Sequence, residues 1–199
     1  MSTLPDRHLD LGCGLTPRNP YGRRQLCGVD IRPLESTPEV EFRCANIVLD
    51  PIPYPDNHFG SLSAVDFIEH VPRLLTTPDG RATWVPFITL MNEIWRVLAP
   101  GGRLYALTPA YPNQAAFVDP THVNTITAHT HEYFCGDGRL GQIYGFDGNF
   151  KALRAEWVVY MDSLTPAPLN TRQKLRRLNR SMRGRLTHFL WELEAIKPG

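Results

Sequence analysis

The run Arg7–Leu11 (RHLDL) stops on Gly12-Cys13-Gly14, and this junction constrains the fold more than any other stretch. Two glycines after an apolar strand let the backbone turn sharply and pass close to a ligand. Four further short runs follow it: Leu26–Ile31, Val40–Cys44, Leu62–Val65 and Arg103–Leu107. Ahead of the last of these, Ile88, Met91, Ile94, Trp95 and Leu98 recur at helical spacing. Phe87–Leu98 therefore reads as an amphipathic helix, stopped by Pro100-Gly101-Gly102. Strands alternating with helices predict parallel pairing through right-handed crossovers, hence a Rossmann-like α/β sheet. Ala155–Met161 and His188–Ile196 bring the expected count to about seven strands, with helices on both faces.

The first crossover departs from that pattern. Only Gly12 to Gln25 separates the first two strands, and Pro17, Pro20 and Gly22 stand inside it. A proline within a helix costs about 3 kcal/mol, so a single turn or an extended loop is expected in place of a full helix. Asp50–Gly60, with three prolines, is a loop. Residues 110–150 are irregular and glycine-rich, and a stretch this long in a compact chain reads as a lid over a substrate. A short helix is expected around Thr127–Phe134 within it.

At 199 residues and 42% hydrophobic, the chain can bury one core, so residues 1–199 are read as a single domain. Its longest central apolar stretch, Trp84–Met91, is broken by Pro86 and Thr89 and is too short to span a bilayer. The N-terminal residues lack the apolar core of a secretory signal, so a cytoplasmic location is expected. Cys13, Cys27, Cys44 and Cys135 show no Cys-x-x-Cys spacing, which points to free, mostly buried thiols rather than structural zinc.

The site chemistry starts at the first turn. Asp30 ends the second strand sixteen residues past Gly14, where a carboxylate can accept both hydroxyls of a ribose. The third glycine of a dinucleotide fingerprint is absent, and Pro17 stands there instead. A pyrophosphate needs the free N–H groups of a helix start, so the pattern favours another adenosine-bearing ligand over NAD. Asn46, ahead of the proline-rich loop, could bond an adenine edge. Pro53-Tyr54-Pro55-Asp56-Asn57-His58-Phe59 follows, then Asp66-Phe67-Ile68-Glu69-His70, then Val97-Leu98-Ala99-Pro100-Gly101-Gly102.

In this order the five segments, spanning residues 7–108, closely resemble class I S-adenosylmethionine-dependent methyltransferases, of the compact kind associated with surface polysaccharides and sugars. The resemblance implies S-adenosylmethionine as cofactor. Asp10, Gly12, Cys13 and Gly14 would flank its methionine part. Asp30 and Ile31 would hold the ribose and the adenine face, with Asn46 and Ile47 at the adenine. Asp66 and Phe67 would sit near the sulfonium, and Glu69 and His70 close behind. Three departures stand out: Asn46 where the family often has Asp, Gly60 where it has Asp, and the shortened first crossover.

Methyl transfer from a sulfonium needs a base only when the acceptor is a poor nucleophile, such as a sugar hydroxyl. Tyr111, Asp119, His122 and Asn124 follow the fifth strand, where open α/β sheets bind substrates. The run Asp119-Pro120-Thr121-His122 resembles that of methyltransferases acting on surface sugars. It makes His122 the expected base or hydroxyl-orienting residue, with Asp119 holding it. The plainer alternative is that Asp119 caps a turn and His122 fastens the lid. His122, His129 and His131 lack a carboxylate that would complete a metal set, so no metal is expected.

The formal charge of +1 conceals an uneven distribution. Seven cations, from Arg172 to Arg185, fall in fourteen residues without an acid, leaving −6 on the remainder. Leu175, Leu178, Met182, Leu186 and Phe189 step at helical intervals among them, so residues 171–187 read as a basic amphipathic helix between the last two strands. Such a helix suits an anionic membrane surface or a nucleic acid at residues 172–185; alternatively, its apolar stripe docks on the sheet. Three functions follow: methylation of a sugar or glycolipid hydroxyl, methylation of RNA guided by the basic helix, or a non-catalytic binding module that keeps the fold.

Overall fold

The computed structural model describes residues 3–198. Strands β1 (Arg7–Leu11), β2 (Gln25–Asp30), β3 (Val40–Cys44) and β4 (Phe59–Val65) come first. A two-residue-per-strand hairpin, β5 (Leu75–Thr76) and β6 (Thr83–Trp84), precedes helix α1 (Pro86–Val97). Strand β7 (Leu98–Pro109), helix α2 (Ala115–Val118), strand β8 (Phe150–Val158), helix α3 (Thr171–Met182) and strand β9 (His188–Ala195) complete the chain. The main sheet has seven strands in the order β3-β2-β1-β4-β7-β9-β8. The first five are parallel; β9 runs antiparallel to both β7 and β8.

The strand order reverses between β1 and β4, and the crevice at such a switch point is where α/β sheets bind ligands. Residues 12–24 contain only turns, as the prolines predict. Pro86 opens α1, where its missing N–H is no loss. Val97 then leads straight into β7, with Gly101 at φ +77° taking the turn that a side chain would strain. Strand boundaries differ from expectation mainly at β7, which starts at Leu98, and at β8, which starts at Phe150. The expected helix near 127–134 is a 3-10 turn over Thr130–Phe134.

The two faces of the sheet differ in kind. Leu9, Leu11, Leu62, Ala64, Leu104, Ala106, Trp191 and Leu193 point to one side. There they meet Phe87, Leu90, Met91 and Ile94 of α1, and Ile126, Phe134 and Phe146 of the 110–149 segment. The alternate residues, His8, Asp10, Ser61, Ser63, Tyr105 and Glu192, are buried on the other side. The segment 12–24 and residues 160–164 cover them, and α3 flanks the same face, held by Arg177 to Glu156 at 2.7 Å.

α3 corrects one expectation and sharpens another. It ends at Met182, with Gly184 in a left-handed conformation at φ +61°, so it is shorter than residues 171–187. Asn170 and Gln173 form a capping box at its start. Its apolar stripe does not dock on the sheet: Leu175, Leu178 and Met182 are 62%, 56% and 74% exposed. Gln173 and Arg176 tether the helix to Asp162 instead, and Arg177 tethers it to Glu156. All four cysteines are free, but only Cys13 and Cys27 are buried; Cys44 is exposed because β3 is an edge strand.

Candidate active site at the carboxyl ends of the central strands

The turn after β1 is built around Gly12 at φ +61°. A methyl group on Gly12 would lie 2.5 Å from the Phe67 ring, so the loop after β4 closes directly on this glycine. The N–H of Gly14 donates to Asp30 Oδ2 at 2.9 Å. Arg32 adds its backbone N–H at 3.0 Å and its guanidinium at 2.9 Å, and these bonds hold the Asp30 carboxyl down at about 2. Beside Asp30, Ile31 is 66% exposed, and Leu15 across the turn is 79% exposed. A permanently charged carboxylate between two uncovered aliphatic side chains is what a ribose carrying a flat base requires. Ile47, by contrast, is buried in the core, and the Asn46 side chain caps its own turn through Val48 N at 3.3 Å.

Asp10 does not face this cleft. It accepts from Ser63 Oγ and from Arg18 N, so it ties the 12–24 loop to the polar face of the sheet. Burial raises its carboxyl to about 6. Cys13 is likewise structural: its thiol packs where a side chain on Gly28 would collide, and burial lifts it to about 12.

At the end of β4, Asp66 adopts φ +52°, a left-handed conformation that Asp tolerates better than most residues. Its Oδ1 meets His188 Nε2 at 3.0 Å, and the Tyr160 ring lies 4.6 Å from His188. Burial works to raise the Asp66 carboxyl, but the hydrogen bond and charge of His188 outweigh it and keep the group below its ordinary value. His188, Tyr160 and Arg18, which bonds Tyr160 Oη at 3.1 Å, escape a sequence reading. They carry no local motif, and more than 100 residues separate His188 from Asp66.

On the other side of the Asp66-Phe67 turn lies a second polar cluster. Glu69 is buried, accepts from Thr108 Oγ1 at 3.0 Å through Oε2, and leaves Oε1 without a partner. Burial pushes its carboxyl up to about 8. The His70 and His122 rings meet edge to face at 4.8 Å. His122 Nδ1 bonds Ala116 O at 3.2 Å. The expected Asp119 clamp on His122 is corrected here. Asp119 Oδ2 is 3.9 Å from His122 Nε2, beyond hydrogen-bond reach, because its other oxygen is engaged by Thr121 N and Oγ1 at 2.8 and 2.6 Å. Asp119 thus caps a turn, and a backbone carbonyl orients the ring.

The remaining candidates scatter. Asn124 is buried and occupied by Arg73 and Ile68 O, and Tyr111 is exposed. His129 pairs with Glu132 at 2.9 Å, and His131 packs beside Phe189 and Trp191, so neither joins His122.

The family model of the methyltransferase domain matches residues 9–106. An S-adenosylmethionine-dependent methyltransferase from Mesorhizobium loti superposes with a TM-score of 0.54 at 14% identity, covering 94% of this chain and 90% of that one. The chain is a class I S-adenosylmethionine-dependent methyltransferase. A structure of the complex between the Haloferax volcanii Trm112 methyltransferase activator and a methyltransferase matches with a TM-score of 0.59 at 15% identity, covering 96% and 83%. The arsenic(III) S-adenosylmethionine methyltransferase of Chlamydomonas reinhardtii gives 0.52 at 18% identity, covering 98% and 65%. At these identities the likeness concerns the fold. No curated protein sequence matches the methyltransferase. No helix among its described residues is long and apolar enough to cross a membrane.

Proposed function

We propose that this methyltransferase acts on a hydroxyl of a sugar or glycolipid, and that the lipid-linked form is its acceptor. The observation that carries the hydroxyl assignment is His122. Its Nδ1 is held by a carbonyl, which can only accept, so Nδ1 carries the ring proton and Nε2 presents a lone pair. A base of this kind matters only for an acceptor that is a poor nucleophile at neutral pH.

S-adenosylmethionine, when bound, supplies an electrophilic methyl group on a sulfonium. Gly12 and Gly14 would let the backbone approach its methionine part. Asp30 would accept the ribose hydroxyls once the exposed Arg32 side chain swings aside, and Ile31 would cover the adenine. Asp66 and Phe67 end β4 at the crevice, on the sulfonium side. His122 Nε2 would take the acceptor proton, with His70 and Glu69 shaping the pocket floor.

α3 favours a lipid-linked acceptor. The helix carries cations around most of its circumference and shows three aliphatic side chains to solvent. Its tethered residues, Gln173, Arg176 and Arg177, lie roughly 130–170° around the helix from that stripe. An apolar stripe flanked by cations, with each of its three side chains more than half exposed, matches an anionic bilayer. Nucleic acid gains nothing from the aliphatic groups, and α3 contains no aromatic residue to stack on bases. Its end also adjoins the lid: Ser181 and Arg185 share a cleft of about 730 Å³ with Pro112, Asn113 and Gln114.

Three measurements test this reading. S-adenosylhomocysteine should bind the wild type in calorimetry and lose at least about tenfold in affinity in Asp30→Ala; absence of binding to the wild type sinks the cofactor assignment. His122→Ala should lower kcat on glycolipid vesicles by about 100-fold while S-adenosylhomocysteine binding persists, and an unchanged kcat removes the base. In flotation, the protein should follow vesicles containing phosphatidylglycerol but not pure phosphatidylcholine, and Leu175→Ser with Leu178→Ser should abolish this. RNA binding that those substitutions leave intact, without flotation, would reverse the choice of partner.

A further inference from the structure

We propose that Glu69, His70 and His122 hold a divalent first-row transition-metal ion at the acceptor end of the site. Among the described residues these three form the one group of potential ligands whose atoms, one from each residue, all lie within 4.8 Å of one another. Proximity alone would mean little. The hydrogen bonds around the group give it direction.

His122 donates from Nδ1 to Ala116 O at 3.2 Å. His70 Nδ1 lies 3.0 Å from Thr121 Oγ1 and 3.3 Å from Thr121 O. Thr121 Oγ1 already gives its proton to Asp119, so it can only accept from His70. Both rings therefore carry their proton on Nδ1 and present Nε2 as a lone pair. Glu69 Oε2 is bonded by Thr108, and the buried Oε1 has no partner. Two imidazoles and the unpartnered Glu69 oxygen thus stand together, and an ion that displaces the Glu69 proton would satisfy all three. An outer hydrogen bond on each ligand is also how proteins fix the tautomer and orientation of metal-binding side chains.

The donor set selects the ion. Two imidazoles and a carboxylate suit zinc and its first-row neighbours, whereas magnesium and calcium prefer oxygen throughout. Ligand atoms about 2.0–2.2 Å from such an ion stand roughly 3–4 Å apart, so small side-chain rotations close the observed spread. Asp119 Oδ2, 3.9 Å from His122 Nε2, is placed to become a fourth ligand. With an ion bound, the His122 lone pair is committed to it, and an acceptor hydroxyl would instead be acidified by the ion's charge.

The test reads ion binding without turnover. Chelator-stripped protein is titrated with Co2+, followed by its visible d–d absorption, and then with Zn2+ as competitor. One equivalent should bind, with Zn2+ displacing Co2+. His122→Ala and Glu69→Gln should each weaken binding at least 10-fold to 100-fold, while thermal melts and S-adenosylhomocysteine binding show that His122→Ala is folded. His129→Ala, outside the cluster, should change nothing. Absence of stoichiometric binding by the wild type overturns the proposal, as does an affinity indifferent to His122→Ala and Glu69→Gln. Because neither outcome depends on methyl transfer, failure here leaves the acceptor reading standing, and failure there leaves the ion site standing.

Discussion

Leu62 and Ser63 are neighbours in β4, both fully buried, yet they enter opposite environments. Leu62 points into an apolar core packed by α1 and the 110–149 segment. Ser63 points to the face where the usual crossover helices are missing, and it bonds both His8 and Asp10. One face is stabilised by excluding water from hydrocarbon, the other by leaving few polar atoms unpaired. A thinly covered sheet can be buried on both sides only if the second side exchanges area for hydrogen bonds.

On the polar face the protons can be assigned. Ser63 Oγ donates to the Asp10 carboxylate, so it accepts from His8 Nε2–H. His8 Nδ1 then accepts from Ser61 Oγ at 2.8 Å. The histidine is neutral, and burial lowers it to about 3 from an ordinary 6.5.

Substitutions at these positions separate the two materials. Leu62→Ala should cost about 3 kcal/mol in urea unfolding, the ordinary price of a cavity in a packed core. Ser63→Ala should cost about 2 kcal/mol, because it strands a buried donor on His8 and a buried acceptor on Asp10. If Ser63→Ala proves neutral, the polar face is covered but not held by its hydrogen bonds.

A smaller, pH-dependent effect sharpens the contrast. Between pH 6.5 and 3 the unfolded chain protonates His8 while the native chain does not, so this residue withdraws stability as pH falls. Asp10 acts in reverse: its native carboxyl, raised to about 6 from 3.8, takes its proton first and adds stability across that interval. His8→Asn should therefore gain on the wild type as the pH is lowered from 7 to 5, read as the difference in unfolding free energy. A difference that does not change with pH would mean that His8 takes up its proton as readily in the native chain as in the unfolded one. The smallest effect is expected at Asn170→Ala, which removes a cap worth about 1 kcal/mol to the helix. α3 packs no buried residue, so far-UV circular dichroism should report fraying while the global midpoint stays put.

The apolar face was largely legible in the sequence. β1, β2, β4, β7 and α1 show as periodic runs bounded by glycine and proline, and Asp30 and Gly12 stand at strand ends that the pattern locates. What could not be read are meetings between distant segments. His8 finds its serines 53 and 55 residues away, and Asp66 finds His188 across 122. The basic helix was visible as a helix, but the face it shows to solvent depended on Asp162 and Glu156, acids outside its own segment. Asp119 Oδ2 stands 3.9 Å from His122 Nε2, and the Thr121 hydroxyl decides which Asp119 oxygen is free.

Strand β3 lies at one margin of the sheet with half of its backbone groups unpaired. Its Glu41 and Arg43 form an exposed ion pair at 2.8 Å, and the Arg43 guanidinium sits 3.9 Å over the Tyr54 ring. Charges on such a margin make addition of a second chain costly. Removing both would leave Val40, Phe42 and Cys44 on a bare β template, open to edge-to-edge self-association and intermolecular disulfides through a thiol already exposed to solvent.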